Sequence, residues 1–410
     1  MKHIFIILSI LFVLIGTKSA NAQIDTVFWF SAPWLTPDHT NQKPMAFHIS
    51  TFNNPTTVRI KQPAGTYDTT IVIPPNTLFS KYVSFMINQV ETKPANTVLS
   101  TGFRFTSDYP ITVVYDIITA PTTYYNPETY SLKGQNGLGK EFVLPFQTLW
   151  HNRPSTADNN GDGVITQPYQ QFSVVASEDN TTVYITPKTD IVGHPANVTF
   201  SVFLPFKGNT WTGQNIYQEV QNPGQNLAGT IVVSDKPISI TVCEDSVQPA
   251  GGCADELGDQ IVPVDVVGNE YIVNRGFLNA AVLESFFVVA TENFTSVTIN
   301  DGIVTNVLLN KGDTYPYNIQ QPLTHIQTDK SVYLYHMSGY GCELGSALLP
   351  PLNCAGSDQV SFARANGQSF LLNILCKGGT EGAFQLNGNP ALIPASAFAP
   401  VPGTGGAWMG

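Results

Sequence analysis

Apolar and polar residues alternate with a period of two along most of this chain. TTVRI (56–60), FRFTSDYPITVVYD (103–116), TTVYIT (181–186) and TSVTIN (295–300) show it most clearly. A period of two sends successive side chains to opposite faces of a strand, so each segment predicts a half-buried β-strand. Asn, Asp, Gly and Pro bound these runs and supply the turns between them. The pattern predicts an all-β protein.

The strand pattern also repeats. AFHIS (46–50), TTVRI and FRFTSDYPITVVYD return as FSVVASEDNTTVYITP (172–187) and IVVSDKPISITV (231–242). They return again as FFVVATENFTSVTIND (286–301) and IQTDKSVYLYHM (326–337). Matching Val58, Val183 and Val297 gives spacings of 125 and 114 residues, and matching Asp108, Asp235 and Asp329 gives 127 and 94. Solenoid coils and propeller blades repeat every 20 to 50 residues or so. The longer period predicts tandem antiparallel β-sandwich-like units, with a single propeller-like closed assembly as the alternative. The expected division is a signal peptide at 1–22 and units at 23–133, 134–260 and 261–354. An incomplete fourth unit is expected from 355 to 410, in a chain that reads as part of a larger protein. Asp followed by Lys-Pro or Tyr-Pro is expected to set a turn into the strand that follows. The Glu-Leu-Gly at 256–258 and 343–345 is expected to be a turn in the connectors between units.

The N-terminus changes the picture of where the chain works. Lys2 and His3 precede an apolar run, Ile4 to Ile15, and small residues lead to Ala20-Asn21-Ala22. That is the layout of a cleaved export signal, with Gln23 opening the mature chain. Cleavage takes the formal net charge from −11 to −13. An acidic chain with scattered Lys and Arg lacks the basic footprint that nucleic acid requires. Four of the five cysteines form two close pairs, so an exported protein is expected to bridge Cys243–Cys253 and Cys342–Cys354, each worth about 2–3 kcal/mol. Neither pair has the C-x-x-C spacing of a zinc site. Cys376 is left without a partner.

A family resemblance follows from the order of several segments. They are the FWFSAP opening, the S-D-K-P-I-S-I strand, the Cys loop leading into GDQIVPV, then GNEYIV and FxVVATEN-x-TSVTIN. Together they resemble the IgG Fc-binding protein N-terminal domain family, over nearly all of the chain from about Val27. The resemblance implies a secreted or cell-surface binding module, similar to domains in large surface proteins of Bacteroidota. It implies no catalytic residues and does not by itself transfer Fc binding.

Candidate chemistry is sparse. In DNNGDGVIT (158–166), Asp158, Asn160 and Asp162 alternate before Gly163, as in the first half of an EF-hand-type loop. Val164 would add its carbonyl and Thr166 a hydroxyl or water, making calcium the one expected cofactor. Position twelve is Tyr169 rather than Glu, so the usual bidentate acid is missing. The histidines are dispersed, with no H-E-x-x-H, and His336-Met337-Ser338-Gly339 lacks G-x-S-x-G. Among the tryptophans, Trp29 fits a core position and Trp150 a surface platform for a protein or glycan. The sequence therefore predicts a non-enzymatic adhesion-type module that binds a protein or glycan at the cell surface. A structural spacer is the alternative, and a secreted carbohydrate-active enzyme is a more remote one.

Overall fold

A computed structural model describes residues 23–36, 45–116 with 117, 128–159, 161–216, 225–249, 253–279, 282–353, 371–386 and 389–410. The proposed signal peptide, Cys354, Asn160 and the start of the fourth unit fall outside these residues.

Three sheets follow one another along the chain, each with the same strand order. The first holds β1 (Asp25–Phe30), β2 (Met45–Thr51), β3 (Thr56–Lys61), β4 (Asp68–Ile73), β5 (Leu78–Tyr82), β6 (Phe103–Ile117) and β7 (Glu128–Ser131). The second holds β8 (Gly139–Val143), β9 (His151–Asn152), β10 (Gln170–Ala176), β11 (Thr181–Thr186), β12 (Phe200–Leu204), β13 (Thr210–Gln214), β14 (Ile231–Gln248) and β15 (Asp255–Ile261). The third holds β16 (Gly268–Asn274), β17 (Phe277–Leu278), β18 (Ser285–Ala290), β19 (Thr295–Asn300), β20 (Val304–Leu309), β21 (Thr314–Asn318), β22 (Leu323–Gly341) and β23 (Glu343–Leu348). A small pair, β24 (Cys376–Lys377) and β25 (Trp408–Met409), lies beyond. The architecture is all-β and consistent with sandwich-like repeats.

One long strand is the spine of each sheet. The first half of β14 pairs with β8 and β11, and its second half pairs with β10 and β15. β6 and β22 serve their sheets in the same way. The Asp-Lys-Pro and Asp-Tyr-Pro motifs lie inside these continuous strands, so they mark a bend rather than the expected turn. The matched aspartates have one job. Asp108, Asp235 and Asp329 each accept a hydrogen bond from the backbone N–H of Thr57, Thr182 and Ser296, at 2.7, 2.8 and 2.7 Å. Each carboxylate thereby pins the neighbouring strand to the bend in its spine.

The inward positions of the alternating pattern fill the cores. Val58 and Ile60, Val183 and Ile185, and Val297 and Ile299 are all buried. In the first sheet Phe47 packs edge-on against Phe103 and Phe105, with centroids 5.1 and 4.8 Å away. Trp29 is buried, as its alternating strand predicts, with Arg104 over its ring.

Each sheet abuts the next through paired glycine positions. A Cβ on Gly102 would lie 2.7 Å from the carbonyl oxygen of Gly208, and one on Gly229 would lie 2.0 Å from that of Gly312. The first sheet also lends a strand-like segment to the second. Leu99 and Thr210 exchange N–H···O=C bonds of 2.9 Å each, and the Asn96 N–H donates to the Thr212 carbonyl at 2.9 Å.

Candidate functional site

Strand β15 reads DELGDQI, and all seven of its residues are buried. It hydrogen-bonds to β14 while packing against both β7 of the first sheet and β23 of the third. The three sheets therefore meet on a seam rich in carboxylates. Glu-Leu-Gly, expected as a turn, is strand in both β15 and β23, because each segment runs back along its spine as the second arm of a hairpin.

Every carboxylate on this seam has a partner from another sheet. Asp259 accepts from Lys133 Nζ at 2.8 Å and from the backbone N–H of Ser131 at 3.3 Å, both in the first sheet. It also accepts from the Leu348 N–H of the third sheet at 3.0 Å. Glu128 accepts from the N–H groups of Gly258 and Ser346, both at 3.2 Å. Glu256 accepts from the Tyr130 hydroxyl at 2.5 Å, and Asp255 from the Leu344 N–H at 2.8 Å. Burial pushes the Glu128 carboxyl well above the usual carboxylate range, and burial likewise raises Asp255 to about 8.

Close to this seam, β14 buries Glu244. Its Oε1 accepts from Gln147 Nε2 at 2.8 Å and Asn152 Nδ2 at 3.4 Å. Burial raises its pKa to about 8, with the amides of Gln170, Gln147 and Asn152 opposing the rise. A carboxyl raised in the fold binds a proton more readily folded than unfolded. Its contribution to stability is full below the ordinary carboxylate pKa of about 4.3 and is lost as pH rises through about 8. Urea midpoints of the protein should therefore fall between pH 5 and 9, and Glu244→Gln should flatten that fall. An identical pH profile in the variant would refute the assignment.

The cysteine pairing differs from expectation. Cys253 is bridged to Cys342, 89 residues away, and Cys243 is buried and unbridged. The register of the β14–β15 hairpin explains it. Cys243 lies opposite Gly258, deep in the hairpin, whereas Cys253 precedes β15 at the hairpin tip. The tip of the next hairpin, between β22 and β23, carries Cys342 to it. With Cys342 engaged, Cys342–Cys354 does not form, and Cys354 itself lies outside the described residues. The Cys243 thiol packs into the first sheet's core, where burial pushes its pKa well up and keeps it protonated. Cys376 is also buried and unbridged.

The predicted metal loop is exposed. Asp158 accepts from the N–H groups of Gly161 at 2.7 Å, Asp162 at 3.2 Å and Gly163 at 2.8 Å. Asp162 Oδ1 accepts from Val164 N–H at 2.9 Å. Positive φ at Gly161 and Gly163, 75° and 85°, allows this tight wrap. Thr166 turns its carbonyl to the Ser155 hydroxyl at 2.6 Å. Val164 and Ile165 stand out as exposed apolar side chains. Among the described residues, one group of three His, Cys, Asp or Glu side chains is close enough to share an ion, namely Cys253, Cys342 and Glu343. Its two cysteines are bonded to each other.

Trp150 is half-buried. It packs with Leu149 against a cluster that joins Val247 and Leu257 of the second sheet to Phe287 and Tyr335 of the third. A groove of about 800 Å³ lies farther along, between the third sheet and residues 371–410, with Phe277, Leu323, Leu392 and Phe398 in its walls.

Residues 127–409 match the family described as IgGFc binding protein. The chain belongs to the IgGFc binding protein family. No curated protein and no solved structure matches the chain. The family match opens at the start of β7 and spans the second and third sheets and residues 371–409, so β1–β6 share the strand order without lying inside it.

An IgGFc binding family member is a binding domain rather than one of a known enzyme family. One constellation here nevertheless resembles a nucleophile with its base. His48 Nδ1 is 2.8 Å from Ser80 Oγ, and its Nε2 is 3.1 Å from Asp116 Oδ2. The repeat supplies a structural reason for it. Ser173 and Thr212 stand at the matching places of the second sheet, with their hydroxyls 3.0 Å apart and no base beside them. His48 is also closed to solvent. The three members of this line lie on separate strands, so no local spacing in the sequence marks them.

Proposed function

We propose that this protein is an exported, non-enzymatic module that binds a protein partner at a cell surface, in the manner of bacterial surface proteins. Membership of the IgGFc binding family over residues 127–409 carries the reading. Among the described residues, no helix is long and apolar enough to cross a membrane. The partner to test first is the Fc part of IgG. The disulfide-intact chain from Gln23 onward, passed over immobilised Fc with mucin glycoprotein as a glycan-bearing comparison, should bind Fc saturably. Fc binding no stronger than that of an unrelated β protein would sink the assignment.

A spacer role is the second reading, favoured by the way the sheets are locked together. The Cys253–Cys342 bridge, the Lys133–Asp259 pair and the borrowed segment at Asn96–Gly102 all resist movement between units. We further propose that Asp158 and Asp162, with Asn160, the Val164 carbonyl and Thr166, take a calcium ion. Millimolar calcium should then raise the melting temperature and chelator reverse it. Identical melting curves in both would count against the ion.

A further inference from the structure

The inter-sheet contact that orders β13 has no counterpart on β5 among the described residues. Matching registers make Leu78, Ser80 and Tyr82 of β5 the equivalents of Thr210, Thr212 and Gln214 of β13. The Thr51 N–H donates to the Thr77 carbonyl, and the Val83 N–H to the Met45 carbonyl. Those bonds set the alternation of the ladder, so Phe79 and Lys81 direct their backbone groups to β2. Leu78, Ser80 and Tyr82 direct theirs outward.

The three equivalent edges have three different fates. In the second sheet, Leu99 and Asn96 bond to Thr210 and Thr212, so the edge of β13 is occupied. In the third, Pro316 stands opposite Phe287, where Thr212 stands opposite Ser173 and Ser80 opposite His48. Proline has no N–H to offer, which blunts that edge against strand addition. In the first, no described residue bonds to the outward backbone groups of Leu78 or Ser80, and no proline guards them. Apolar side chains are open on either side, with Leu78 at 40%, Tyr82 at 54% and Phe85 at 77% exposure.

We propose that β5 is a docking edge for an extended segment of another protein, which adds as an antiparallel strand. The segment Asn96–Gly102 on β13 shows the chemistry of the occupant: a short, uncharged stretch with small side chains held by backbone bonds. One difference sharpens it. Thr101 Oγ1 meets Thr210 Oγ1 at 2.7 Å in the second sheet, but Leu78 takes the place of Thr210 on β5. The residue facing that position in the partner is therefore apolar. This deepens the reading of the chain as a protein-binding module and rests on it.

The probe is a fluorescent peptide of residues 94–103 carrying Thr101→Val, titrated into the chain from Gln23 onward. Saturable binding is expected, with slowed hydrogen exchange at the amides of Leu78, Ser80 and Tyr82. Ser80→Pro, checked for an unchanged melt, should weaken binding at least tenfold. The same peptide N-methylated at its leucine should fail equally, with no change to the protein at all. Binding that survives both changes, or the absence of peptide binding, overturns the proposal whether or not Fc binds. Docked peptide with no Fc binding upholds the edge and removes Fc alone as the partner.

Discussion

Cys253→Ser should be among the most destabilising single changes in this protein, at about 4–5 kcal/mol under oxidising conditions. The Cys253–Cys342 bridge closes a loop of 89 residues, which restricts the unfolded chain far more than the dozen-residue loops suggested by sequence proximity. It also ties the tips of two hairpins that meet at the seam, beside the Asp255–Leu344 hydrogen bond. Urea unfolding of the variant should show a lower midpoint, and reductant should bring the wild type to the same value. Cys243→Ser should leave that reductant effect intact, since Cys243 has no bridge. A loss below about 1 kcal/mol in Cys253→Ser would contradict this account, as would peptide mapping that recovers Cys243 bridged to Cys253.

Asp259→Ala should cost about 3–5 kcal/mol, for a different reason. The carboxylate and Lys133 are a nearly buried ion pair, with side-chain exposures of 3% and 8%. Removing the acid strands the ammonium and leaves the N–H groups of Ser131, Leu348 and Gln260 without their acceptor. These groups come from all three sheets, so the loss should loosen the whole seam. The double variant Asp259→Leu with Lys133→Met tests the mechanism by removing the stranded charge. It should recover much of the stability lost in Asp259→Ala, and additive losses would reject the ion-pair explanation.

The elements whose faces differ in polarity were legible from the chain. Val58, Val183 and Val297 fall at matching places on β3, β11 and β19, opposite Ser107, Ser234 and Thr328 of the spines. Their spacing in sequence revealed the repeat, and the matched aspartates marked the bend in each spine without revealing that it was a bend. Strand β15 shows where that legibility ends. DELGDQI carries three acids and no alternation, so it reads as a polar connector. Both faces of the strand are covered, one by the first sheet and one by the third, and no single-face pattern survives such a position.

The candidate sites divide along the same line. Asp158 and Asp162 stand out in the sequence because the residues of one loop are local, and their hydrogen bonds are local as well. Ser80, His48 and Asp116 leave no mark in the sequence because strand pairing, not spacing, brings them together. Nothing near Trp150 in sequence shows that it packs against a cluster to which the third sheet contributes Phe287 and Tyr335.

By itself the sequence determined the β class and the threefold repeat of strands, since each depends on residues within one or two strand lengths. Only the tertiary structure decided which cysteines bridge, that acids line the seam between sheets, and that among the described residues β13 has a strand-like partner at its edge while β5 has none and β21 carries a proline there. Those outcomes depend on which hairpin tips, carboxylates and strand edges the packing of whole sheets brings within a few ångströms, and a one-dimensional pattern carries no record of that distance.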